Sequence, residues 1–278
     1  APRPGRIHKE YKLPFASMGL KEDLRNIKNK DIVFHLAALA RVQPSIENPL
    51  PYNNANVTAT LNLLNACVKT NVKRVVYSAS SSCYGNTSKV PQRETDSINP
   101  LSPYGLQKYI GEQYCRMFSH VYDLDTVSLR YFNVYGPYEQ HKEVMSSVAY
   151  HFYNQFKQYG MLKLFRGSHG YDDGEQRRDF VYVKDTIDVK LWFMQNNYSG
   201  IFNVASGKSR SFNDVANSVM NYFNSGYIEY INFPEGLEAQ YQAFTEADMS
   251  NLRNRGYERQ ATELEDGVSS YLKFLDEN

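Results

Sequence analysis

Lys73-Arg-Val-Val-Tyr-Ser-Ala-Ser-Ser-Ser-Cys-Tyr-Gly85 decides the fold. Its first half is a short apolar run rich in β-formers, and it ends in clustered hydroxyls and a Tyr-Gly pair. Two flanking stretches share its character, Asp31-Ile-Val-Phe-His-Leu-Ala37 before it and Thr126-Val-Ser-Leu-Arg-Tyr-Phe132 after it. The chain between them has helical spacing. Residues 53–69 place Val57, Leu61, Leu64 and Val68 on one face. Residues 100–121 read as a long helix entered through a proline. Apolar strands separated by helices specify a parallel sheet covered on both faces. Farther on, residues 143–159 and 184–195 read as helices, 199–204 and 228–231 as strands, and 261–275 as a closing helix. Ser211-Phe-Asn-Asp214 opens another helix with a capping-box-like pair. The expected plan is a doubly wound α/β domain over 1–160 and a smaller mixed α/β lobe over 161–278. Elements near 180–204 are expected to return to the first domain.

Composition narrows the function. The 31 Lys and Arg balance 30 Asp and Glu, which argues against a nucleic-acid binder working by bulk phosphate attraction. No polybasic patch marks a membrane surface and no apolar run reaches a membrane span. Three cysteines, Cys67, Cys83 and Cys115, cannot build a disulfide framework, so a reducing, cytoplasmic setting is expected. The six histidines form no His-x-x-x-His pair, and no metal site is expected. No partner supports Cys83 as a nucleophile, and no Gly-x-Ser-x-Gly elbow supports serine hydrolysis.

The sharpest chemical feature is Tyr104-Gly-Leu-Gln-Lys108. On a helix, i and i+4 project from one face, one turn apart. An ammonium near a phenol favours the phenolate, which could then exchange a proton with a substrate hydroxyl near neutral pH. Alone the pattern is weak, since Tyr-x-x-x-Lys is common. Its order is more specific: strand, serine cluster, Tyr-x-x-x-Lys helix, strand, then Arg130-Tyr-Phe-Asn-Val-Tyr-Gly-Pro137. Hydroxyls at the carboxyl end of a parallel strand lie where open α/β sheets bind ligands.

With those residues in place the chain resembles the extended short-chain dehydrogenase/reductase superfamily, the NAD-dependent nucleotide-sugar epimerases and dehydratases, from Asp31 to its end. The resemblance implies a Rossmann-like domain, an NAD or NADP cofactor, a nucleotide-diphosphate sugar as substrate and a homo-oligomer paired through residues 53–69 and 100–121. It implies Tyr104 as acid/base, Lys108 as its activator and a ribose ligand, and Ser80 as the hydroxyl on the reacting oxygen. Ala37, Ala38, Asn56, Ser78, Tyr131 and Phe132 would line the cofactor, and Ser81, Ser82, Asn133, Phe165, Arg178 and Tyr241 the substrate. Within the superfamily, Arg130 to His151, Arg178-Asp-Phe-Val-Tyr-Val183 and Tyr241-Gln-Ala-Phe-Thr-Glu-Ala-Asp248 are most similar to the ADP-glycero-manno-heptose 6-epimerases. There a second base works opposite the tyrosine, and Lys142 matches it.

Two features depart from the pattern. The Gly-x-x-Gly-x-x-Gly turn and the acidic residue some 20 positions beyond it are missing ahead of Asp31, so the opening βαβ unit is expected to be lacking. His169-Gly-Tyr-Asp-Asp-Gly-Glu-Gln176 is longer than a heptose enzyme needs and resembles the matching loop of UDP-galactose 4-epimerases. Two alternatives therefore stand beside the heptose reading. One is a UDP-hexose 4-epimerase or related dehydratase, although Ser81-Ser82 replaces the Asp-Glu pair of dehydratases. The other is a non-catalytic sugar-nucleotide-binding remnant.

Overall fold

The computed structural model describes residues 27–87, 89–234 and 242–278. The expected parallel sheet is present. Strands β1 (Ile32–His35), β2 (Arg74–Ser80), β3 (Asp125–Tyr131) and β7 (Gly200–Val204) lie side by side in that order, every pair parallel. Successive side chains on a strand face opposite ways, and β2 shows what that alternation does. Val75, Tyr77 and Ala79 enter one core with α3 (Ala59–Lys69) and α4 (Pro103–Tyr122). Val76 enters the other, with Val127, Leu129, Val204 and α6 (Val183–Gln195). Aliphatic and aromatic side chains fill both cores, and each fully buried Leu, Val or Phe contributes about 1.5–3 kcal/mol.

Helix α4 starts where Ser102 caps it, its hydroxyl accepting from Gly105 N at 3.1 Å, with Pro103 at the first helical position. It ends at Asp123 in the left-handed conformation. The chain before α3 is less simple than its periodicity predicts. Two short helices, α1 (Val42–Glu47) and α2 (Pro49–Asn53), precede a π-helical turn over Asn54–Thr58 that runs into α3.

The smaller lobe has its own core, in which Phe152, Leu162, Leu164, Val219, Val268 and Leu272 are all buried. It joins α5 (Val148–Tyr159), β5 (Met161–Phe165), α7 (Phe212–Phe223), β9 (Tyr227–Ile231) and, after the short α8 (Ser250–Asn254), α9 (Leu264–Glu277). Helix α5 thus packs with the chain beyond residue 161, although it precedes that position. The expected helix over 143–159 is shorter for a local reason. Glu143 has φ +51°, and the regular helix begins only after Ser147 caps it.

Short strands bridge the two parts. β4 (Asn133–Tyr135) pairs parallel with β6 (Arg177–Tyr182), which pairs antiparallel with β8 (Ser209–Ser211). Buried Asp179 on β6 is their anchor. Its carboxylate accepts Ser206 N at 2.8 Å, Ser206 Oγ at 2.6 Å, Gly207 N at 3.0 Å and Ala247 N at 3.1 Å. Burial still pushes this carboxyl up to about 6, against the pull of those donors. Among the described residues, no helix is long and apolar enough to cross a membrane.

Candidate active site

The carboxyl end of β2 carries the serine cluster, and α4 crosses behind it. Lys108 is buried, and its Nζ donates to the Ser78 carbonyl at 2.8 Å. Burial lowers this ammonium to about 8, so it is still charged at neutral pH. Tyr104, one turn earlier, is held from behind: its backbone N donates to Ser45 Oγ on α1 at 3.1 Å. The Ser80 hydroxyl faces the Tyr104 phenol, accepts Ser82 N at 3.2 Å and donates to Ser82 Oγ at 3.1 Å. The structure thus brings Ser80 to Tyr104 and Lys108 to the Ser78 carbonyl two residues earlier on the strand, with Ser81 and Ser82 half-exposed beyond Ser80.

One expectation needs correction. Lys108 was expected to lower the phenol's pKa. In the folded chain burial raises Tyr104 above its ordinary value of 10.0, with the Ser80 hydroxyl pulling the other way. Burial is the largest cause of that rise, and the Lys108 ammonium is directed to the Ser78 carbonyl.

The other candidates fall into distinct places. Ala37 is exposed and Ala38 half-buried in the loop after β1. Asn56 does not reach out of its pocket. Its Oδ1 accepts Leu39 N at 2.9 Å, and its Nδ2 donates to Leu39 O at 2.9 Å and Gln107 Oε1 at 3.0 Å. The amide clamps the loop that carries Ala37 and Ala38 onto α4. Tyr131 Oη is buried without a hydrogen bond of normal geometry; the Ser78 side chain faces it, and Lys190 Nζ lies 5.0 Å from the ring centre. Phe132 is buried against Tyr84, 6.2 Å between centroids.

Asn133 is exposed, and its Oδ1 accepts from Thr245 Oγ1 at 3.4 Å. Phe165 stacks on Phe233 at 4.4 Å. Arg178 is 8% exposed; it donates to the Arg177 carbonyl at 2.9 Å, with its guanidinium 5.7 Å from the Phe212 ring centre. Lys142 is exposed on a short 3₁₀ segment, Gln140–Met145. Its carbonyl accepts Arg41 Nη2 at 3.0 Å, which ties that segment to the loop after β1. Tyr241 lies outside the described residues. No cluster of three or more His, Cys, Asp or Glu is placed to hold a metal ion among the described residues.

Sequence reasoning missed the layer behind Lys108. His35 Nε2 is 2.8 Å from Thr60 Oγ1, its ring 5.5 Å from Tyr77, and Tyr77 itself lies under the lysine. The signal was available in the apolar strand Phe34-His-Leu, where a lone histidine faces inward. Burial first, then the Lys108 ammonium, hold His35 down to about 3. The unfolded chain takes up a proton near pH 6.5 that the folded chain refuses until about 3. His35's contribution is therefore complete above about pH 6.5 and is lost as pH falls toward 3. Urea unfolding at pH 6.5 and pH 5 should show a loss of about 1.6 kcal/mol from this group. His35→Gln should lose correspondingly less over the same interval; parallel declines in both proteins would place the acid sensitivity elsewhere.

The residues at the cleft fit the nicotinamide half of a dinucleotide: a lysine at the sheet's carboxyl edge, an orphaned buried phenol and a half-exposed loop. The glycine turn that would cradle the pyrophosphate is not among the described residues.

Residues 13–205 match the NAD dependent epimerase/dehydratase family. Over 198 residues the chain is 45% identical to ADP-L-glycero-D-manno-heptose-6-epimerase of Alkalilimnicola ehrlichii, covering 71% of this chain. It spans 62% of the length of that curated relative. UDP-N-acetylglucosamine 4-epimerase from Methanobrevibacter ruminantium M1, solved with UDP-N-acetylmuramic acid, superposes with TM-score 0.85 at 32% identity, over 95% of this chain and 82% of that one. ADP-L-glycero-D-manno-heptose-6-epimerase of Helicobacter pylori superposes with TM-score 0.79 at 29% identity, over 94% and 77%.

Proposed function

Because the chain belongs to the NAD dependent epimerase/dehydratase family, we propose that it inverts one carbon of a nucleotide-diphosphate sugar through a transient ketone, with ADP-glycero-manno-heptose inverted at C6 as its reaction. The observation that carries this reading is the meeting of Lys108, Tyr104 and Ser80 at the carboxyl end of β2. The relative in Alkalilimnicola and the sequence from Arg130 to His151 favour the heptose.

Nicotinamide, when bound, supplies the hydride acceptor and donor. The chain's own groups handle protons and position. Tyr104 takes the hydroxyl proton as the carbon is oxidised, and Ser80 donates to the oxygen that becomes a carbonyl. Lys108 favours the phenolate by its charge and offers its remaining N–H donors to the cofactor ribose. Ala37 and Ala38 would lie along the cofactor on the loop that Asn56 holds. Arg178 offers a fork to diphosphate oxygens. Once the flat ketone turns over, the other face needs its own proton donor, and Lys142 is the residue we assign to it.

A 4-epimerase acting on a UDP sugar is the second reading. Its support is the loop from Arg166 to Gln176, which Gln176 fastens by donating to the Arg166 carbonyl at 2.8 Å, and the likeness to the Methanobrevibacter enzyme. A panel of ADP-heptose against UDP-hexoses with added NAD decides between them. Turnover of UDP-hexoses alone rejects the heptose, and failure of NAD to bind rejects epimerisation by this chain.

Lys142→Met gives the sharper internal test. Its expected outcome is a loss of epimerisation of ~10²-fold or more with unchanged cofactor binding. Turnover near that of the unaltered protein would return Lys142 to the status of a solvated loop residue.

A further inference from the structure

Tyr77 underlies Lys108. The Nζ of Lys108 sits 5.1 Å from the centre of the Tyr77 ring, and Tyr77 Oη donates to the Lys108 carbonyl at 3.4 Å. One aromatic side chain thus touches both the head and the backbone of one lysine. The ring reaches this place because of Gly111. A Cβ there would stand 2.2 Å from Tyr77 Oη and 2.6 Å from its Cζ, so any side chain at 111 would displace the ring. Tyr77 is 1% exposed, and burial pushes its phenol well above the ordinary range, so it offers the ammonium a neutral π-face.

The other groups around the lysine do not replace that face. His35, from β1, is neutral. On α4 itself, burial pushes the Cys115 thiol up to about 12 and raises the Tyr104 phenol. Glu112, the next acid along the helix, is committed to Arg130 at 2.7 Å. A backbone carbonyl and an aromatic face are what favour the charge.

We infer that Tyr77 is a positioning residue for Lys108: its ring face holds the ammonium at the carboxyl edge of the sheet and favours the charged form. The inference deepens the proposed function, resting on the reading of Lys108 as the cation that assists Tyr104.

The test replaces Tyr77 by phenylalanine and by phenylalanines carrying one, two and three ring fluorines, which weaken the π-face with little change in shape. The Lys108 ammonium is titrated directly in the full chain by NMR of ¹³C-labelled lysine, assigned with Lys108→Met. Turnover is followed against pH in parallel. Tyr77→Phe should leave the Lys108 titration where it is. The full fluorine series should lower it by about half to one pH unit. The alkaline limb of kcat should move by the same amount, with KM unchanged. A Lys108 titration that ignores fluorination overturns the inference whatever turnover does. A titration that moves while the kcat profile stays still leaves Tyr77 as the lysine's holder and overturns instead the catalytic reading of Lys108.

Discussion

Tyr104→Phe should cut turnover by ~10²–10⁴ while leaving the fold and cofactor binding intact. The substitution removes one oxygen. That oxygen faces the Ser80 hydroxyl, so the structural loss is about one hydrogen bond, ~1 kcal/mol or less. The catalytic loss is larger, because the oxygen is the only acid/base group the proposed mechanism gives to that face of the sugar. The phenol also starts from an unfavourable position, since burial raises it. In the proposed mechanism charge comes to it from Lys108, whose own ammonium is about half emptied near pH 8. Turnover should consequently fall on the alkaline side of that value. Steady-state kinetics beside thermal unfolding separate the two effects. A variant within tenfold of the unaltered protein would remove Tyr104 from the reaction.

The largest effect on stability should come from Arg130→Met. Arg130 and Glu112 are each 1% exposed and are joined twice, Nε to Oε2 at 2.8 Å and Nη2 to Oε1 at 2.7 Å. The guanidinium also lies 4.8 Å from the centre of the Tyr84 ring, whose hydroxyl donates to Asn203 Oδ1 at 2.7 Å. Removing the arginine leaves a buried carboxylate with no counter-charge, at a cost of about 3–5 kcal/mol. Removing both charges, as Arg130→Met with Glu112→Leu, should recover most of that loss, because the penalty belongs to the orphaned ion more than to the missing pair. Urea unfolding of the two single variants and the double variant measures this. A double variant as unstable as the sum of the singles would contradict it.

Much of the main sheet could be read from the sequence, because its strands obey local rules. The runs at 31–37, 73–78 and 126–132 are rich in β-formers, and the helices between them repeat with helical spacing. The short strands of the bridging region could not be read. β6 begins Arg-Arg-Asp, which argues for a surface loop, yet Asp179 is buried because N–H groups from residues 206, 207 and 247 converge on it. Nothing local announces donors so distant in sequence. The π-helical turn before α3 was hidden for another reason, since the apolar positions 57, 61, 64 and 68 already fit an ordinary helix.

The site divided in the same way. Tyr104 and Lys108 were legible as a spacing within an order of elements, whereas Ser80 was chosen from its serine cluster only by the family resemblance. The supporting layer of His35, Thr60, Tyr77 and Gln107 was not, because each looks like an ordinary occupant of a strand or helix until the elements pack. Glu112 carried a usable hint, continuing the four-residue interval from Tyr104 and Lys108. Asn56 shows the limit of transfer by likeness: the position was found, but its amide spends its bonds on Leu39 and Gln107.

That four-residue interval has a consequence for how this chain can vary. Between residues 104 and 112 one helical face presents a phenol to the cleft, an ammonium to a strand carbonyl and a carboxylate to the guanidinium of a neighbouring strand. A helix turns about 100° per residue. Inserting or deleting one residue there would swing every later group a quarter-turn away from its partner and unmake chemistry and stability together. The length of this stretch is therefore fixed by three partners at once, one for each of its turns.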